Sequence, residues 1–256
     1  MRQAIRALGW ATSIFWIILL FFTVTVVYSA FQLKPEFGSL YTNTSGGTAI
    51  VSLPFSFANG GLYDISNLNL TTLVKDSRGN PISDSSTFVQ LIPRNGNVSV
   101  THNMLILISQ LTTKDLSYLL FKDSDFDVDI ALKLDYANAV PFKISANFAI
   151  AWGAPLSNLT IGNVSVTHNG VNFVANVPIS FENHSFFSLD GTMRLELVDN
   201  TNRLLGSETT TISVPPQAGY GFSPQVDVSD PASIREARLY FDTSVFSYGP
   251  VVISLV

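Results

Sequence analysis

Residues 51–59 read VSLPFSFAN and residues 175–183 read ANVPISFEN, two similar stretches 124 positions apart. In both of them every second residue is apolar, a pattern that predicts a β-strand with one buried face. Pro54 and Pro178 occupy the same place in each copy. Because proline lacks the N–H group that a ladder needs, we expect an edge or a bulge at both positions. The sequence therefore predicts the same strand twice.

The repeat continues beyond this strand. Asp76 and Asp199 each follow a second alternating strand and open a turn, with the sequences DSRGNPI and DNTNRLL. Aspartate favours such turns because its carboxylate accepts hydrogen bonds from the backbone that follows it. Many short strands with regular turn signals are typical of an immunoglobulin-like sandwich. We therefore predict an all-β protein with two tandem sandwiches, residues 38–152 and 156–256, joined by the short link WGAP.

One short helix is predicted inside the first sandwich. Thr112 and Asp115 have the spacing of a helix cap, and Leu116, Leu119 and Leu120 then line one helical face.

A long uncharged segment precedes the repeat. Residues 7–32 carry no charged side chain, and the apolar run exceeds the roughly 20 residues that cross a bilayer. Arg2 and Arg6 come before it, and positive residues stay on the cytoplasmic side. We therefore predict a single-pass protein of the cell membrane, with residues 1–6 in the cytoplasm and the sandwiches outside. A cleaved signal peptide is the alternative, although its apolar region is usually only about 7–15 residues long.

Composition limits the chemistry of the chain. Only 13% of the residues are charged, the formal net charge is -5, and there is no cysteine. Disulfides, thiolate catalysis and cysteine-based metal sites are therefore excluded. An acidic chain also argues against nucleic-acid binding, which requires a basic face. The expected partners are the membrane, through the helix, and other envelope proteins or a second copy of the chain.

Asn-x-Ser/Thr sequons occur only beyond the predicted membrane helix. A sequon arises easily in a chain rich in Ser, Thr and Asn, so composition alone is an alternative explanation. Attached glycans would solubilise a surface that has few charges. The candidate glycosylation sites are Asn43, Asn69, Asn97, Asn158, Asn163 and Asn183.

A series of alternating carboxylates, Asp123, Asp125, Asp127 and Asp129, raises the possibility of calcium binding, because hard cations prefer clustered carboxylates. An EF-hand loop would require Gly at its sixth position and Glu at its twelfth, and neither is present. The apolar residues between the aspartates instead indicate a strand with an acidic outer face. The four aspartates are therefore only a weak calcium candidate.

The histidines do not indicate a shared site. His102 and His168 lie in two identical octapeptides, GNVSVTHN, at positions that are not equivalent in the repeat, and both are predicted to be solvated at strand ends. His184 is predicted to lie in a loop. The sequence contains no nucleophile elbow, no HExxH motif and no Gly-rich phosphate loop. We therefore predict that the protein is not an enzyme and has no cofactor.

The repeat resembles a known family at the segments NGGLY, residues 59–63, and NHSFF, residues 183–187. An Asn that ends an alternating strand, followed by an aromatic or apolar pair, is similar to the WHy (water-stress and hypersensitive-response) domain of late-embryogenesis-abundant proteins. The resemblance implies a seven-stranded sandwich with a helix, often tethered by one N-terminal helix, and no enzymatic activity. Tandem copies behind an anchor also resemble archaeal surface proteins.

Three functions are compatible with these features. The leading hypothesis is a non-catalytic surface protein with a structural or partner-binding role. The second is an accessory subunit that binds a lipid or glycan, for which an apolar cavity near the predicted helix would be diagnostic. The third is a filament or sheath subunit that donates its apolar last strand, residues 250–256, to a neighbour. The match of this strand to the end of the first copy favours pairing within its own chain.

Overall fold

The computed structural model describes residues 2–113, 115–168, 170 and 172–255, without the side chains of residues 2–7. About 60% of the chain is β-strand. Helix α1, Arg2–Ala30, comes first. Its segment Leu8–Ala30 has a mean hydropathy of 2.2 and is long and apolar enough to cross a membrane. The prediction of an all-β protein behind one apolar helix is therefore confirmed.

The first immunoglobulin-like sandwich follows α1. Its strands are β1 (Leu33–Phe37), β2 (Tyr41–Ser45), β3 (Thr48–Asn59), β4 (Ile65–Lys75), β5 (Pro81–Ile92), β6 (Asn97–Leu107), β7 (Ser124–Tyr136) and β8 (Val140–Trp152). In one sheet β3 pairs with β1 and β2 on one side and with β6 on the other, and the facing sheet has the order β5-β4-β7-β8. Phe55 and Phe57 of β3 and Leu70 and Leu132 of the facing sheet belong to the core between them.

The second sandwich repeats this architecture. Its strands are β9 (Ser157–Ile161), β10 (Ser165–His168), β11 (Phe173–Asn176), β12 (Ile179–Asn183), β13 (Leu189–Val198), β14 (Leu204–Val214), β15 (Ala218–Phe222), β16 (Gln225–Val228), β17 (Glu236–Thr243) and β18 (Ser247–Ser254). One sheet has the order β14-β13-β17-β18, and the opposite face consists of β10-β11-β16 and β15-β12-β9. Among the described residues, every strand pairs with strands of its own sandwich.

The repeated prolines lie where strand pairing changes. Residues of β3 before Pro54 pair with β2, residues after it pair with β1, and the N–H of Gly38 donates to the Pro54 carbonyl at 2.8 Å. Gly162 donates in the same way to Pro178, which separates β11 from β12. The expectation of an edge or a bulge is wrong for Pro54, since β3 is an interior strand and its pairing with β6 runs through Pro54 without a shift in register. Proline is tolerated there because the neighbouring strand changes at that residue.

The first sandwich begins earlier than the predicted boundary at residue 38. Strand β1 pairs with β3 from Leu33, opposite Asn59, to Phe37, opposite Phe55. The residues between them, KPE, are exposed and break the apolar alternation by which a strand is recognised. Because α1 ends at Ala30, only two residues separate the helix from the first strand.

The predicted short helix is replaced by two 3₁₀ turns, Ile108–Thr112 and Ser117–Leu120. The predicted cap is wrong, because the Thr112 hydroxyl donates backwards to the Ser109 carbonyl at 2.7 Å. Leu119 is fully buried, as the helical pattern predicted. Burial of the leucines therefore determines the position of this segment, and two short turns achieve it without an α-helix.

Candidate functional site

A buried asparagine holds the loop that follows β3. The side-chain amide of Asn59 donates to the carbonyls of Tyr63, Ile92 and Pro93 at 2.9, 3.2 and 3.2 Å, and its side-chain oxygen accepts the N–H of Gly61 at 3.1 Å. Asn59 is fully buried, so these bonds replace all of its contacts with water. They fix the loop after β3 against the loop after β5.

Asn183 holds the corresponding loop of the second sandwich with the same bonds. Its amide donates to the carbonyls of Phe187, Val214 and Pro215 at 2.8, 3.2 and 3.1 Å, and its oxygen accepts the N–H of Ser185 at 3.1 Å. Asn183 is 0% exposed. It cannot carry a glycan in the folded chain, because its amide nitrogen is buried and engaged. This corrects its assignment as a glycosylation candidate.

The remaining sequons differ in accessibility. Asn69 is half-buried on β4, an interior strand, and its side-chain oxygen is buried. The other four are exposed, so glycosylation of them stays a prediction. These exposed residues are Asn43, Asn97, Asn158 and Asn163.

The last two turns of α1 dock on the loop after β3. Thr25 Oγ1 lies 2.7 Å from the Tyr63 hydroxyl, and the ring of Phe22 meets the Tyr63 ring edge to face, with centroids 5.8 Å apart. Ser29 is fully buried, and its hydroxyl is hydrogen-bonded to the hydroxyl of Tyr136. The last two turns of α1 are therefore packed against the first sandwich and hydrogen-bonded to it.

The joint between the sandwiches repeats this arrangement. Trp152, at the end of β8, packs on Phe186 and Phe187 with ring centroids 6.2 and 6.1 Å apart. These two residues occupy the place that Leu62 and Tyr63 have in the first sandwich. In each sandwich, the preceding part of the chain therefore packs on the equivalent loop, which follows β3 in the first sandwich and β12 in the second.

Trp152 also ties the joint to the first sandwich. It is 3% exposed, its indole N–H donates to the Leu119 carbonyl at 2.9 Å, and its ring stacks on Phe126 at a centroid distance of 5.1 Å. One continuous set of buried apolar residues runs from these residues into the second sandwich. The sandwiches therefore share a core at their contact.

A polar cluster covers the outside of this joint. His184 Nδ1 lies 2.7 Å from Asp123 Oδ2, and its Nε2 lies 3.0 Å from Glu182 Oε2. The hydrogen bond to Asp123 raises the pKa of His184, and the bond to Glu182 adds to this while burial opposes it. Burial pushes the pKa of Asp123 upward, but hydrogen bonds from Ala154 and His184 lower it overall. Bonds from Asn158 and His184 lower the pKa of Glu182.

This cluster should make stability depend on pH. A raised histidine pKa gives stability that is present below the ordinary pKa of 6.5 and is lost as the pH rises through the raised value. The lowered carboxyl pKa values give stability that is lost as the pH falls below 3.8 for Asp123 and 4.5 for Glu182. The Tm difference between wild type and His184→Gln should therefore be largest between pH 4.5 and 6.5 and shrink at higher pH. His168→Gln, at an exposed residue of β10, is the control; a pH-independent difference for His184→Gln would contradict the expectation.

The alternating aspartates do not converge on one point. Asp123 lies in the loop before β7 and is engaged at the joint, whereas Asp125, Asp127 and Asp129 are spaced along β7 at roughly 7 Å intervals. Asp129 forms a salt bridge with Lys75 at 2.7 Å. Within the described residues, no group of three or more His, Cys, Asp or Glu side chains could hold a metal ion. The calcium site stays a prediction.

His102 is a core residue, so the prediction of a solvated histidine is wrong for it. It is fully buried, and its Nε2 and Nδ1 lie 2.9 and 2.8 Å from the hydroxyls of Thr72 and Thr87. Burial lowers the pKa of His102. His168 is exposed on β10, as predicted. The two histidines therefore form no common site.

An apolar cavity of about 320 Å³ opens between β1 and β8 of the first sandwich. Its lining includes Pro35 and Phe37 of β1, Leu132 of β7, and Ile144 and Phe148 of β8. The ligand-binding hypothesis predicted an apolar cavity near the short helix, the segment that forms the two 3₁₀ turns. None of the residues that line this cavity belongs to those turns. The cavity lies beside β8, the last strand of its sheet.

No family model matches this sequence, and neither does any curated protein sequence. Similar solved structures include the periplasmic chaperone SfaE, with 14% identity over 86% of this chain and 98% of that chain and a TM-score of 0.31. An adhesin from Mobiluncus mulieris has 7% identity, covers 83% of this chain and 82% of its own, and has a TM-score of 0.32. Red sea bream transglutaminase has 16% identity over 88% of this chain and 31% of its own, with a TM-score of 0.29.

Proposed function

We propose that this chain is a membrane-anchored protein whose two sandwiches lie outside the cytoplasm and serve a non-catalytic structural or partner-binding role at the cell surface. The observation that carries the proposal is the docking of α1. Val26 and Ser29 are buried against the first sandwich. Removal of the helix as a signal peptide would strip both residues from a packed core, which supports a retained anchor. Arg2 and Arg6 support an N-terminus in the cytoplasm.

The way in which the sandwiches are attached supports a role as a rigid spacer. The same loop receives α1 in the first sandwich and Trp152 in the second, and both contacts are packed with aromatic rings. A shared core at the joint limits motion between the sandwiches. In this role the chain holds its outer end at a fixed distance from the membrane, where another envelope protein or a second copy binds.

A non-catalytic role is supported by the way the titratable groups are used. The ring of His102 is buried and hydrogen-bonded to two threonine hydroxyls, and the ring of His184 is hydrogen-bonded to two carboxylates at the joint. The acidic balance of the chain is unfavourable for a nucleic-acid partner. Membership of the WHy domain family is part of the proposal. Its support is that Asn59 and Asn183, which carry the resemblance, make the same bonds in both sandwiches.

A second candidate function is the binding of an apolar ligand, such as a lipid, in the cavity between β1 and β8. The observation that favours it is a lining made almost entirely of apolar side chains. The filament alternative has less support. Strand β18 pairs with β17 of its own chain, from Ser254 opposite Glu236 to Ser247 opposite Asp242, as the repeat predicted.

Protease added outside intact cells tests the proposed location. We expect it to degrade both sandwiches, because the proposed topology exposes them on the outer surface. Lysed cells are the control, in which any topology permits degradation. Full protection of the sandwiches in intact cells would overturn the proposal.

A further inference from the structure

The docking of α1 sets the depth of the first sandwich relative to a bilayer. A hydrocarbon core of about 30 Å takes up about 20 helical residues. If this core begins at Leu8, where the apolar segment begins, it ends near Tyr28. Phe22 then lies about 9 Å below the outer boundary, at about 1.5 Å per residue. Because Phe22 and Thr25 contact Tyr63, the loop after β3 lies at the depth of the outer leaflet.

The surface at this end of the sandwich is apolar and exposed. Phe31, directly after α1, is 81% exposed, and Leu62 of the loop after β3 is 53% exposed. Phe142 of β8 is also exposed. In the second sandwich the residue in the place of Leu62 is Phe186, which is packed against Trp152. Trp152 therefore covers this position in the second sandwich, whereas Leu62 in the first sandwich is exposed.

A cleft of about 470 Å³ lies between α1 and the start of β8. Its walls include Phe22, Val26 and Phe31 on one side and Val140 and Phe142 on the other. The cleft is elongated along the outer half of the helix, since Phe22 and Phe31 are two and a half turns apart. An occupant must therefore be apolar and must lie beside a membrane-spanning helix.

We propose that this end of the first sandwich is a lipid-binding surface, in which an acyl chain of an outer-leaflet lipid fills the cleft. Phe31 and Leu62 insert among the lipid headgroups, where burial of exposed aromatic and aliphatic side chains is favourable. A lipid is the occupant because the helix that forms one wall of the cleft is itself the membrane anchor. The inference thus rests on the proposed anchoring and adds a second contact with the membrane, made by the sandwich.

Single-cysteine labelling tests this surface cleanly, because the natural chain contains no cysteine. Phe142→Cys and Leu62→Cys are each labelled with an environment-sensitive fluorophore, and the full chain is placed in phosphatidylcholine vesicles. Val252→Cys, at an exposed apolar residue of β18 in the second sandwich, is the matched control. We expect lipid brominated near the headgroup end of its acyl chains to quench the labels at positions 62 and 142 at least twofold. The label at position 252 should be unchanged by that lipid and should be quenched by aqueous iodide.

Ile18→Cys, labelled in the middle of α1, separates failure of this inference from failure of the anchoring. If lipid brominated at the methyl end of its acyl chains quenches the label at position 18, but lipid brominated near the headgroup leaves those at 62 and 142 unquenched and open to iodide, the helix is anchored and the lipid-binding surface is wrong. The same result is expected if the cleft instead receives a partner protein, because the vesicles contain none. If the label at position 18 is also open to iodide, the anchoring itself fails, and the inference fails with it.

Discussion

Asn183→Ala should destabilise the second sandwich by about 3–5 kcal/mol, because several backbone groups lose their partner in a place that water cannot reach. The asparagine amide serves the carbonyls of Phe187, Val214 and Pro215 at once. Alanine leaves all three without this donor. Urea unfolding of the purified full chain measures the loss, and Asn59→Ala should cause a similar loss in the first sandwich.

Asn97→Ala is the matched control for this prediction. Asn97 also belongs to a sequon but is exposed at the start of β6. We expect its replacement to change the free energy of unfolding by less than about 0.5 kcal/mol. If Asn183→Ala were as mild as Asn97→Ala, the buried network would not stabilise the loop. If both were equally severe in glycosylated protein and mild in protein without glycans, the effect would belong to the glycans.

Trp152→Ala should be comparably severe, with a loss of about 3–5 kcal/mol and an unfolding transition that separates into two. The indole stacks on Phe126, donates to Leu119, and covers Phe186 and Phe187 of the second sandwich. Alanine removes this contact from both sandwiches at once. Without it the sandwiches should unfold independently, which calorimetry detects as two transitions instead of one cooperative transition.

Two variants control the Trp152 prediction. Trp152→Phe retains the ring contacts and loses the indole donor, so we expect a smaller loss and a single transition. Phe88→Ala removes an exposed aromatic residue of β5 in the same sandwich and should change stability by less than about 0.5 kcal/mol. A single unchanged transition in Trp152→Ala would show that the sandwiches are coupled by other contacts.

Much of the repeat is readable from the sequence, because its signals are local. Alternation identifies β3 and its second copy, and Asp76 and Asp199 mark turns through bonds to residues two to four positions later. The Asp76 carboxylate accepts the N–H groups of Arg78 and Asn80 at 3.0 and 2.7 Å. Such contacts depend on only a few neighbouring residues, so composition and spacing suffice to predict them.

The contacts that hold the chain together were not readable in this way, because they join distant residues. Ser29 meets Tyr136 across more than a hundred residues, and nothing near Ser29 marks it as buried. A signal did exist for His102, which occupies an apolar position in the alternation of β6 and so points to the core. Asn183 shows the opposite difficulty, since its sequon indicates a surface site while its place at the end of an apolar strand indicates a buried one.

The central claim is that α1 is retained as an anchor with both sandwiches outside the cytoplasm. Epitope tags at the two termini, followed through digestion of intact cells, test it most directly. We predict that external protease removes the C-terminal tag and leaves the N-terminal tag on a fragment that alkaline carbonate does not extract from the membrane. The N-terminal tag should be lost only after permeabilisation. Absence of the N-terminal tag from the mature protein before digestion, or its loss from intact cells, would contradict the claim.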